Sequence, residues 1–297
     1  MTLSLRPSRL LAARERLEIT RRYDPEGLAE QLQPHRWVGA YALAQLDRGA
    51  WEESEWYAAE TMRGVAIVCH SRSGLGNATT LSGPADAVGA ILKLHPGFAR
   101  TFAIGDPQHL PALEAVHSLT NPRRMMRMLV TAETFRPVQG EATPLLGPHV
   151  QIVNRLYNTE GSPTYYRREH IAGGCYWGVT DDERLVAIAG THSIGRVHGI
   201  AILGNVFTHP RYRGRGHATL ATSAVTAALL EQVRDVVLSV DPDNEPAVRA
   251  YQKLGYRDVG PIVEASAIRH AGTMITASRR WLARQRGPGG EREVVYT

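Results

Sequence analysis

A chain of 297 residues, 43% hydrophobic and 21% charged, has a globular composition and the length of two ordinary domains. No stretch reaches the roughly 18 uninterrupted apolar residues of a membrane helix, and the two cysteines, Cys69 and Cys175, give neither a disulfide framework nor a metal-ligand spacing. The net charge of +5 comes largely from two arginine-rich ends and, without a basic stripe interleaved with aromatics, reads as solvated surface, so no nucleic-acid partner is expected. The basic N-terminus has too short an apolar run for a secretory signal, and a reduced, cytoplasmic protein is expected.

Hydrophobic period and chain breakers organise the sequence into two similar series. The first predicts a helix over 35–47, strands over 54–60, 63–71 and 78–83, and a helix over 84–95. It continues with a strand over 98–106, a helix over 107–118 and a strand over 124–135. Proline and glycine then concentrate in a linker, 136–149. The second series predicts helices over 149–158 and 164–172, then strands over 173–181, 184–194 and 198–208. A helix follows Gly216, then a strand over 235–242, a helix over 244–255 and two short strands, 256–260 and 262–270. Both halves run helix, three strands, helix, strand, helix, strand. The expected division is an N-terminal domain 1–137, a C-terminal domain 138–275 and a basic tail 276–297.

The strand over 198–208 ends at Thr208-His209-Pro210, and "RYRGRG", Arg211 to Gly216, precedes a helix. Glycines let a backbone approach a ligand closely and adopt positive φ. The free amides of a helix N-terminus bind anions, and arginines add charge-assisted donors to phosphate oxygens. The stretch therefore reads as a pyrophosphate cradle. It is not a P-loop, because His217-Ala218 stand where lysine and Ser/Thr are needed. A dinucleotide fingerprint would need Gly or Ala where Thr219 stands. The pattern (Gln/Arg)-x-x-Gly-x-(Gly/Ala) is matched fully.

At these residues the chain resembles the GNAT superfamily of acyl-CoA-dependent N-acyltransferases, over about Glu141 to His270. The preceding "VFTHP", the helix-strand-helix order that follows, and "NEPAVRAYQKLGY" strengthen the match; in the last, Asn244, Ala247, Tyr251, Gly255 and Tyr256 fall in register with the family's segment. The resemblance implies an α/β (α+β) fold with a mixed sheet and acetyl-CoA as acyl-donor cosubstrate, without a metal. It places Val206 and Thr208 against the pantetheine arm, and Arg211, Arg213, Gly214, Arg215, Gly216, His217 and Ala218 around the pyrophosphate. Asn244 and Tyr251 would stand beside the thioester sulfur. Each has a bland alternative: Asn244 is a good N-cap in any case, Tyr251 suits a core, and Arg215 suits a solvated surface.

The implied reaction is direct transfer of an acetyl group to a primary amine, on a small molecule, a peptide N-terminus or a lysine. Tyr251 is the expected general acid. The general base is sought among His192, His198 and Glu183, with His198 preferred because it leads into the strand carrying Val206. In the first half "TTLSGPADAVG" has no arginine, one acid (Asp86) and Pro84 in place of an amide donor. That half is expected to be a degenerate GNAT-like domain, so that two stand in tandem, as in the glycine-acyltransferase-like and mycothiol-synthase-like branches. No membrane contact is expected, and a homodimer is left open. The rival reading is a catalytically silent acyl-CoA-binding or interaction module.

Overall fold

The computed structural model describes residues 16–73, 76–161, 165–271 and 292–296. The first half begins with β1 (Arg16–Arg21), α1 (Pro25–Leu32), α2 (Ala40–Ala44) and α3 (Arg48–Trp51). Then come β2 (Ser54–Thr61), β3 (Gly64–Ser73), β4 (Gly76–Ser82), α4 (Ala85–Leu94), β5 (Arg100–Gly105), α5 (Leu110–Glu114) and β6 (His117–Thr131). The second half contains β7 (Thr143–Pro144), α6 (Val150–Tyr157), α7 (Arg168–Gly173), β8 (Trp177–Asp181), β9 (Arg184–Gly195) and β10 (Ile200–Thr208). It ends with α8 (His217–Leu230), β11 (Asp235–Val240), α9 (Glu245–Lys253) and β12 (Arg257–Arg269); β13 (Arg292–Tyr296) returns to pair with β1.

Several expectations are corrected. The helix over 35–47 is broken into a 3-10 turn at Gln33–His35 and the five residues of α2, because Gly39 breaks the run with a non-helical backbone. The strands over 256–260 and 262–270 are one strand, β12, whose pairing with β6 is interrupted by a bulge on each strand. β1 lies in a stretch read only as charged, and α1 in residues to which no element was assigned. Of the tail 276–297, Arg292–Tyr296 is a strand and the remainder lies outside the described residues.

Among the described residues, thirteen strands make one sheet, in the order β13-β1-β2-β3-β4-β5-β12-β6-β11-β10-β9-β8-β7. All neighbours are antiparallel except β4 with β5 and β10 with β11, one parallel pair in each half. The halves exchange their last strands. β12 lies between β5 and β6, while β6 separates β12 from β11.

The sheet also curls. Leu43 and Ala44 of α2 share one core with Trp56, Ala58, Ile67 and Cys69 of β2–β3 and with Ile200, Ile202 and Val237 of β10–β11. Six strand spacings separate β3 from β10, about 29 Å on a flat sheet, more than a single helix spans across its width. The first helices therefore fill a concave face between the two arms. Two polar contacts fasten this seam. Arg36 pairs with buried Asp235 at 2.7 Å and donates to the His198 carbonyl at 3.1 Å. Asp47 accepts from the amides of Arg196 and Val197.

Candidate active site

The arginine-glycine loop joins the end of β10 to α8. His209 orders its start: the His209 amide donates to the Val186 carbonyl and its ring accepts from the Arg211 amide. Gly214 and Gly216 have φ of +77° and +82°, the left-handed region that favours glycine. A Cβ built at either would meet nothing within 4 Å, so both face open space. Gly216 caps α8 without a side-chain bond, and Leu220 is the first amide to bond back, to the Gly216 carbonyl. The amides of His217 and Ala218 in the first turn are thus left for an outside acceptor.

The arginines differ in what they do. Arg211 is exposed and, among the described residues, has no side-chain partner. Arg213 pairs with Glu160 and donates Nε to the Thr208 carbonyl at 3.3 Å. Arg215 lies 3.9 Å from Asp181 and over the Tyr212 ring. Arg213 thus braces the loop, and Arg211 offers the freest charge.

β10 and β11 pair only at Ile200–Asp235, Ala201–Val236 and Ile202–Val237. Beyond Ile202 the strands part, leaving the stretch that carries Val206 and Thr208 free on that side, and two bulges shape the opening. His192 is the extra residue of β9 where the register slips between Ile202 and Leu203, and the second bulge puts Asn205 at φ +53°. Three tyrosines hold that strained residue. Tyr157 donates to its carbonyl, Tyr166 to its Oδ1 at 2.8 Å, and its Nδ2 donates to the Tyr176 hydroxyl at 3.0 Å. Burial raises the pKa of all three phenols, so they remain neutral. No sequence motif marks this cluster, although Asn205 directly precedes "VFTHP".

On α9, Asn244 acts as an N-cap whose side chain accepts from the Ala247 amide at 3.3 Å. Tyr251 lies two turns on, its ring 9% exposed and packed in the core with Leu254 and Tyr256. Burial lifts its pKa to about 12, and its hydroxyl makes no hydrogen bond to the described residues.

The preference for His198 as base is not supported by its position. It lies in the turn before β10, its carbonyl held by Arg36, at the end of the strand opposite the cradle. Glu183 sits exposed in the β8–β9 turn at φ +60°. His192 is the histidine at the opening: a Cβ on Gly204 would lie 2.1 Å from its Nε2. Its ring is open to solvent yet walled by protein. That surrounding mass, and then the charge of Arg127, bring its pKa down to about 4. The Tyr41 ring lies 6.1 Å from it, and the Arg127 guanidinium 5.7 Å from Tyr41. Neither Tyr41 nor Arg127 carries a local motif that the sequence reading used; both come from the other half.

Residues 149–256 match the acetyltransferase (GNAT) family. The C-terminal half is a GNAT acetyltransferase domain. No curated protein sequence matches the chain. Among solved structures, it is similar to a GCN5-related N-acetyltransferase from Kribbella flavida at 17% identity, covering 81% of this chain and 98% of that one, with a TM-score of 0.52. A GCN5-related N-acetyltransferase from Sphaerobacter thermophilus gives 16% identity, 85% and 96% coverage and a TM-score of 0.50. A Drosophila protein gives 12%, 84% and 97%, with a TM-score of 0.58. At such identities the likeness establishes the fold, here over both halves.

The first half repeats the strand and helix order of the second but not the features of its loop. Its parallel pair holds from Ala78–Phe102 to Thr80–Ile104, almost to the strand ends, and so does not open. Pro84 caps α4, and the Asp86 side chain takes the Ala87 amide and pairs with Arg63. The helix end that would bind an anion is occupied by its own carboxylate. The cavity of about 500 Å³ beside it is lined by Asp86 and Asp106 together with Arg63, His35 and His109.

Proposed function

We propose that the chain is an acetyl-CoA-dependent N-acetyltransferase in which a primary amine attacks the thioester directly. The observation that carries this reading is the coincidence of the open Gly214–Gly216 cradle with the parting of β10 and β11, on one GNAT domain. The α8 amides and Arg211 suit a diphosphate, and the free edge of β10 around Val206 suits the amide groups of a pantetheine arm.

In this reading, the amine nitrogen bonds to the acetyl carbon as the carbon–sulfur bond breaks. The proton lost from nitrogen passes to neutral His192, directly or through water. The departing sulfur takes a hydrogen bond or proton from Tyr251, whose raised pKa keeps it a donor at neutral pH. Acetyl-CoA is incubated with a panel of small amines and peptides, and free thiol is followed with a chromogenic disulfide. Thiol release that depends on an acceptor is the expected result. CoA binding by calorimetry with no release across the panel would instead favour a silent acyl-CoA-binding module.

A further inference from the structure

Arg127 is a buried cation that forms no ion pair among the described residues. It is 0% exposed. Nη1 donates to Ser239 Oγ at 3.0 Å, whereas Nε and Nη2 have no partner. The Tyr41 ring and the more distant charge of Glu264 are what offset it, and neither is in ion-pair contact. Unpaired buried charge is costly, and an unsatisfied buried donor calls for an occupant.

Its position says which occupant. Side chains on a strand return to the same face every second residue. Gly204 and Ser239 therefore succeed Ile202 and Val237, the last residues that pair β10 to β11, on the concave face. They flank the mouth of the opening. His192 stands against Gly204, and Arg127 stands opposite Ser239 on β6. The free edge of Arg127, Nε with Nη2, is the edge by which Arg22 grips the Asp24 carboxylate, with both bonds at 2.9 Å.

We propose that Arg127 binds the carboxylate of the acceptor, and that the acceptor is a small amino acid whose amine lies at the mouth between Gly204 and Ser239. The two unpartnered nitrogens give a two-point bond to that carboxylate. Arg127 contacts Ser239, so amine and carboxylate are a few bonds apart, as in an α- or β-amino acid. Half-buried Tyr41 stands beside both, 5.7 Å from the Arg127 guanidinium and 6.1 Å from the His192 ring, so the entering carboxylate has to pass its ring. The acceptor class is thereby read by the first half of the chain, while the acyl donor is held by the second.

This inference rests on the acetyltransferase reading, and its test separates the two. The CoA-bound full chain is titrated calorimetrically with the twenty protein amino acids and β-alanine, with the matching amino amides, and with spermidine. At least one amino acid is expected to bind about 100-fold more tightly than its amide, with spermidine no better than the amides. Arg127→Met should bring acid and amide within about 3-fold of each other, without lowering Tm, because it removes an unpaired buried charge. If that variant does not fold, Arg127→Lys is read instead and should retain only part of the preference.

Amides or spermidine binding as well as the acids would overturn the assignment. So would failure of every amino acid to bind, or a folded variant with the preference intact. Thiol release driven by spermidine with amino acids inert leaves the enzyme and removes the carboxylate site. Carboxylate-dependent binding without thiol release does the reverse.

Discussion

Tyr251 joins two roles that a sequence reading sets against each other. Its ring is core, at 9% exposed, yet its hydroxyl has no partner among the described residues and its pKa is lifted to about 12 by burial. A phenol held neutral in this way donates across the working pH range. Tyr251→Phe keeps the packing and removes the donor. It is expected to preserve CoA affinity and to lower kcat by about 10²–10⁴-fold under saturating substrates, as for a lost acid–base group. Turnover within twofold of the parent would pass the role to water or another residue. Asn244 was legible as a cap because that role is local, written in the residues immediately after it. The proposed base was not legible. His192 and His198 look alike in sequence, and only the β9 bulge turns one of them to the opening while the Arg36–Asp235 pair holds the turn of the other away.

At the scale of elements, the open loop proposed as a cradle was readable because its physics is local: a strand, two glycines and a helix start are adjacent in the chain. Its counterpart in the first half was readable for the same reason, from Pro84 and Asp86. What adjacency does not encode is how far two strands run on past their three parallel pairs, and this separates an open β10–β11 from a closed β4–β5. Gly214→Val adds a branched side chain to the space that faces the loop and imposes a left-handed backbone cost of about 1–2 kcal/mol. The fold is expected to survive and CoA binding to be lost. Arg213→Ala should be milder, since Arg213 also serves Glu160 and Thr208. Calorimetry should find one CoA site per chain in the parent and none in the Gly214 variant; normal affinity in that variant would remove the cradle assignment.

For the whole molecule, the order of elements was legible but their exchange was not. Each half reads as a complete series, and nothing in β6 or β12 says which neighbour it will choose. Both are long and bulged, and β12 has β5 and β6, strands of the other half, as its partners. A fragment of residues 138–275 would leave β12 without either partner and β11 without β6. That fragment is expected to show no cooperative thermal unfolding and no CoA binding, while the intact chain unfolds in a single calorimetric transition. A fragment that melts cooperatively and binds CoA would show that the halves are separable.

The exchange also sets a timetable for synthesis. When Thr131 has left the ribosome, β5 and β6 exist, but the strand that lies between them has not been made. At ~5–20 residues per second, Arg269 follows about 7 to 28 s later. Through that interval the nascent chain carries two strand edges that already have the sequence to pair but not the partner, and open edges recruit neighbouring chains. β6 meets that interval with Pro122 beside Arg123 and Arg124 along one stretch, a missing donor and two charges. The arginines of this strand thus serve a newborn chain before Arg127 is buried in a finished one.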